Sequence, residues 1–138
     1  EGYWNGDSLQ FALDPDGTAM AGNQVEFVAV LDGEKPVLMK NLTPYLGGDL
    51  PTGYSQRNEI VRHARIEVDR EPDGRRTYRI RIESSELFPF ALNPSKPLRF
   101  SLLINNNDGQ GRSGYLEWGS GIGADKDAAK YGTLLPLR

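Results

Sequence analysis

The chain is predicted to fold as an all-β, antiparallel β-sandwich, and three observations carry that expectation. Apolar and polar residues alternate with period two in run after run, 16 Gly and 9 Pro punctuate those runs, and helical patterning is scarce. Alternation sends successive side chains to opposite faces, so each run offers one face to a core and one to water. A length of 138 residues suits a single core, and residues 1–138 are read as one domain.

The elements follow in order. SLQFALD (8–14), VEFVAVL (25–31) and PVLMK (36–40) read as the first strands. Residues 41–58, NLTPYLGGDLPTGYSQRN, form a long Gly/Pro-rich loop carrying Tyr45 and Tyr54, and loops of that length are usually functional or mobile. ARIEVD (64–69) alternates, and TYRIRIE (77–83) sets Tyr78, Ile80 and Ile82 against Arg79, Arg81 and Glu83. Between them Pro72, Asp73 and Gly74 supply turn chemistry, so 60–69 and 76–83 are expected to pair as an antiparallel hairpin. SSELF should form one helical turn capped by Ser84 or Ser85, and DKDAAKYG another near Asp125. LRFSLLIN (98–105), GYLEW (114–118) and TLLPL (133–137) complete the strands.

Bulk composition excludes several functions. A net charge of −3 offers no basic excess for nucleic acid or anionic membranes. With no cysteine there are no disulfides and no thiolate metal sites, which is compatible with bacterial secretion or with cytosol. No run approaches the roughly 20 apolar residues of a membrane helix, so membrane insertion is not expected. The first residue is Glu and patterned sequence starts almost at once, so the chain is read as a processed or trimmed piece of a longer one.

Catalytic constellations are weak. His63, the one histidine, sits in VRHAR between Arg62 and Arg65 and reads as a solvent-facing strand residue. Asp14 and Asp16 lie in a DPDG turn, and Glu67 and Asp69 alternate on an Arg-bearing strand, so turn-making and surface pairing account for both pairs. GSGIG (119–123) lacks the lysine spacing of a phosphate loop and reads as a flexible connection. Seven arginines in the hairpin are interleaved with Glu67, Asp69, Glu71 and Glu83, which points to ion pairs on a wet face. The chain is therefore not read as an enzyme.

Metal and sugar chemistry remain. Oxygen ligands alone select a hard cation such as calcium, and they cluster twice: Asp7, Asp14 and Asp16 early, then Asn105, Asn107 and Asp108 in NNNDGQG. The second cluster fails the calcium-hand spacing, and a turn held by Asn and Asp side chains ranks slightly ahead of a metal there. A sugar ring needs a flat aromatic with hydrogen-bonding groups around it. Trp4 with Gln10, and Trp118 with Glu117 and the nearby Asn105 to Asp108, have those ingredients, although either Trp alone suits a partly buried core position.

The motifs WNGDSLQFALD, TYRIRIESSELFPF and RFSLLINNNDGQGRSGYLEWGSGIGADKDAAKYGTLLPL resemble those of family 9 carbohydrate-binding modules and the wider group of similar β-sandwich domains. The resemblance extends over most of the chain, and its last third is the most specific part. It implies a non-catalytic, secreted, periplasmic or cell-surface bacterial module. Such a module binds polysaccharide, often at chain ends, and serves a glycoside-degrading parent chain with catalytic or other domains.

In that family two tryptophans sandwich a terminal sugar, and calcium has a structural part. Trp4 falls where the first sandwich Trp sits, six residues before a position often held by Glu and here by Gln10, which keeps an acceptor and removes the charge. Trp118, or Tyr54 or Tyr45 from the long loop, would supply the second wall, and Arg57 or Asn58 would join Gln10 in holding hydroxyls. The family's upstream strands are not in the chain, so it is read as lacking its first strands.

One branch of related sandwiches binds haem b through Met and His or Lys. Met39 reads instead as a core filler and Arg-flanked His63 as an awkward axial ligand, so no haem is expected. The alternative from another class is a structural or interaction sandwich of a multidomain secreted protein, without a sugar site.

Overall fold

The computed structural model describes residues 5–44 and 48–135. Its strands are β1 (Ser8–Asp14), β2 (Val25–Asp32), β3 (Lys35–Leu42), β4 (Ala64–Arg70), β5 (Arg76–Ile82), β6 (Leu98–Asn107), β7 (Arg112–Trp118) and β8 (Gly132–Leu134). The protein is nearly all β and antiparallel, as the alternation predicts. One sheet runs β3-β2-β1-β6-β7, with β8 paired to the first residues of β6, while β4 and β5 form a separate hairpin.

Register decides what each face carries. Phe11 lies opposite Phe27 on one side and Leu102 on the other, and Leu102 lies opposite Trp118, so these four share a face. Phe11 and Phe27 stack with ring centroids 5.3 Å apart. The hairpin covers much of this face, packing Ile66, Tyr78, Ile80 and Ile82 against Phe11, Phe27, Ala29 and Leu38. Each fully buried Phe or Leu contributes about 1.5–3 kcal/mol. The outer side of the hairpin is wet, as its arginines predict: Arg79 pairs with Asp69, and Arg65 with Glu67 at 2.6 Å.

The hairpin begins later than the sequence suggests. Residues 58–61 run instead along the outer edge of β3, where Lys40 N donates to the carbonyl of Glu59 and Val61 N to that of Leu38, each at 2.9 Å. This delivers Val61 to the core. Buried Lys40 then meets Glu86 from the 3-10 turn Ser84–Leu87, Nζ to Oε2 at 2.7 Å. Neither Ser84 nor Ser85 caps that turn: the N-cap position is Glu83, with no side-chain cap bond.

The opposite face is covered by residues 119–131. Ile122, Ala128 and Tyr131 pack on Ala12 and Leu103. GSGIG is thus a packed segment and not a loose connection, because Ile122 needs the core and Gly121 permits the tight path. At Gly121 φ is +90°, and a Cβ would lie 2.2 Å from the carbonyl oxygen of Asp127. Lys126 anchors the segment to the fully buried side chain of Glu26, Nζ to Oε2 at 2.6 Å. The helical turn expected near Asp125 is a 3-10 turn, Ala128–Lys130, capped by Asp127 through Ala129 N. Among the described residues no helix is long and apolar enough to cross a membrane.

Candidate functional site

Of the expected sugar contacts, Trp4 and Tyr45 lie outside the described residues. The remaining candidates do not converge. Gln10 lies opposite Val28 and Leu103 on the loop-covered face and is only 6% exposed. Trp118 points to the hairpin face, so the sheet separates the two. Tyr54 is half-buried and stacks on Phe88 with centroids 4.5 Å apart, which makes it a packing partner of the 3-10 turn. Arg57 and Asn58 are exposed in the same loop, and Asn58 bonds the edge of β3 through its backbone. Four strand steps of about 4.8 Å separate β3 from β7, so no single ring spans from Tyr54 to Trp118.

What does converge is a trough on the hairpin face beside β7. The hairpin stops short of β6 and β7, leaving Ile104, Leu116 and Trp118 exposed. Between hairpin and sheet runs a groove of about 720 Å³, lined by Leu9, Tyr78, Ile104 and Leu116 with polar groups from Asp7, Arg76 and Ser113. Arg76 Nη1 pairs with Asp7 Oδ2 at 3.4 Å, tying hairpin to sheet at one end.

Trp118 is 50% exposed and held firmly. Phe100 packs beside it at 5.9 Å, and a Cβ on Gly132 would lie 2.7 Å from its Cη2. One side of the indole therefore rests on bare backbone, and half of the residue is open to solvent. Tyr78, Ile104 and Leu116 were not singled out from sequence as site residues. The alternation in GYLEW already placed Leu116 and Trp118 together, opposite Tyr115 and Glu117.

The candidate metal ligands separate into groups. Asp7 and Asp14 stand at opposite ends of β1, roughly 20 Å apart at strand rise, and cannot share an ion. Asp7 Oδ1 accepts from Asn107 N at 2.8 Å, Asn107 Oδ1 accepts from Gly109 N, and Asp108 Oδ1 accepts from Gln110 N. NNNDGQG is thus a turn held by its own side chains. Asn105 belongs to the loop-covered face, where its Nδ2 donates to Ser8 Oγ at 3.0 Å and its buried Oδ1 meets no partner among the described residues.

Asp14 and Asp16 form the one close carboxylate pair of the set. Asp14 is fully buried; Oδ2 accepts from Ala19 N at 2.7 Å, and Oδ1 has no partner among the described residues. Burial, then the hydrogen bond shared with Asp16, pushes the Asp14 carboxyl up to about 6. Burial would also raise Asp16, but hydrogen bonds from Asp14, Thr18 and Asn23 outweigh it and hold Asp16 below the usual range. Tyr131, whose buried hydroxyl likewise has no partner among the described residues, is raised by burial and by Glu26 and Asp14. A free, desolvated carboxylate oxygen beside a second carboxylate suits a hard cation. Asp14 and Asp16 would hold it, with no third acid nearby, since no group of three His, Cys, Asp or Glu gathers among the described residues.

No protein-family model matches the chain, and no curated protein matches it.

Proposed function

We propose that the domain binds carbohydrate without catalysing a reaction on it, as a secreted, periplasmic or cell-surface bacterial module serving a glycoside-degrading parent chain. The observation that carries this reading is Trp118: a flat, half-exposed indole backed by Phe100 and Gly132, on the same face of β7 as Leu116, which lines the groove. A pyranose offers C–H groups to such a plate and hydroxyls to its border. Gln10 and the loop residues Tyr54, Arg57 and Asn58 stand away from this plate. Asp14 and Asp16 are the proposed calcium ligands, with a structural role.

The test is a titration with cello-, xylo- and other oligosaccharides, followed by tryptophan fluorescence and by calorimetry. Trp118→Ala should weaken binding by about 1–2 kcal/mol, the scale of an aromatic contact. Unchanged affinity in that variant would show that Trp118 is not the platform.

A second reading has its own observation. Leu116 is 75% exposed beside exposed Ile104, on the same face as exposed Trp118, an apolar patch of the sort that marks protein interfaces. Flat traces across the whole sugar panel would favour an interaction module.

A further inference from the structure

The two edges of the main sheet differ. Along β3 the backbone of residues 58–61 supplies hydrogen bonds, so that edge is covered. At the other end of the strand order no described strand lies beyond β7. Edge strands are commonly guarded by Lys, by Pro or by a bulge. β7, RSGYLEW, has neither Lys nor Pro, and its register shift against β6 falls at the Arg112 end, leaving 114–118 regular.

That regular stretch is complementary to itself. A two-fold axis through Leu116, perpendicular to the sheet, would pair Leu116 with Leu116, Tyr115 with Glu117 and Gly114 with Trp118. On the hairpin face the exposed Leu116 would meet its own copy. The indole of Trp118 would lie across from Gly114, where nothing stands within 4 Å of a Cβ position. On the other face the Arg112 guanidinium sits 4.4 Å from the centre of the Tyr115 ring. Tyr115 would stand opposite Glu117 of the second copy, so a cation would face a carboxylate once on each side of the axis. Isologous contacts need this kind of self-complementarity, and opposed charges fix the register.

We propose that the domain associates with a second copy of itself through antiparallel pairing of β7, continuing the sheet across the two-fold axis. The pairing sets both Trp118 platforms on one continuous face. It does not depend on the sugar reading, because association is read without any glycan.

The experiment is sedimentation equilibrium of the whole chain from micromolar to millimolar concentration, with circular dichroism to check the fold of each variant. Wild type should show a concentration-dependent dimer, and Leu116→Lys, which sets two ammonium groups on the axis, should be monomeric. Arg112→Glu and Glu117→Arg should each weaken the dimer roughly tenfold, and the double exchange should restore it. A wild type that stays monomeric would overturn the proposal and reserve the edge for a different strand. So would a Leu116→Lys dimer as tight as wild type, or a folded double exchange that fails to recover.

Discussion

Lys40 and Glu86 form an ion pair with no exposure on either side chain, Nζ to Oε2 at 2.7 Å, and the pair ties β3 to a segment 46 residues downstream. The ammonium also donates to the Glu86 carbonyl, while Glu86 Oε1 accepts from Ser55 Oγ and His63 N. One carboxylate thus gathers β3, the long loop and the start of the hairpin.

Removing one member should therefore be costly. Lys40→Met leaves Glu86 buried and uncompensated, and urea unfolding should show a loss of about 3–5 kcal/mol. Lys40→Met with Glu86→Gln should recover part of it, because the amide oxygen can still accept from Ser55 and His63. Burial alone would raise the Glu86 carboxyl, but Lys40 and Ser55 outweigh it and hold it below the usual range. A depressed folded-state value means stability that is present above the unfolded value and lost as pH falls through the folded one. Wild type should lose stability on acidification below about pH 4.5 more steeply than the double variant. Parallel acid profiles would show that the pair does not carry this dependence.

This junction was not legible in the sequence, whereas the strands were. SLQFALD reads as a strand because its alternation is local, and β1 spans those seven residues. Whether Gln10 and Trp118 share a face depends on the register of β1 with β6, where Gln10 meets Leu103, 93 residues on. Period-two patterning says only that Gln10 and Phe11 are on opposite sides. The groove is invisible for the same reason: it exists because the hairpin stops short of β6, a matter of packing between layers. NNNDGQG was readable as a turn because Asn and Asp bond the backbone two residues on, a local property. Lys40 and Glu86 carry no local signal, since a buried pair and two surface charges look alike in a sequence.

The packing of residues 119–131 predicts an uneven response to two glycine substitutions. Gly33 and Gly121 both have positive φ, at +62° and +90°. A Cβ at Gly33 meets nothing within 4 Å, so Gly33→Ala should cost about 1 kcal/mol, the conformational penalty alone. At Gly121 the Cβ would collide with the backbone carbonyl of Asp127, which cannot rotate away as a side chain would. Gly121→Ala should cost more than about 2 kcal/mol and expose Ile122 and Tyr131. Equal costs by thermal or urea unfolding would mean that the segment yields and does not seal that face.

The Asp14 and Asp16 pair predicts a pH response of opposite sign to that of Glu86. In a chelating buffer the Asp14 carboxyl, raised by burial and by Asp16 from 3.8 to about 6, binds its proton more tightly folded than unfolded. Its contribution is fully present below about pH 3.8 and is lost as pH rises through about 6. The two-unit gap corresponds to at most about 3 kcal/mol, reduced by the opposite shift at Asp16, since a coupled pair titrates together. Asp14→Asn, which imitates the neutral form, should remove this loss and be more stable than wild type at pH 7 without metal. Calcium should reverse the order, because a cation on the free Oδ1 stabilises the ionised native state by mass action while the amide variant gains little. Wild-type melting temperature at pH 7 should then rise with calcium and fall back on chelation. If the pH profile flattens in Asp14→Asn but calcium leaves wild type unmoved, the carboxylates share a proton and hold no ion.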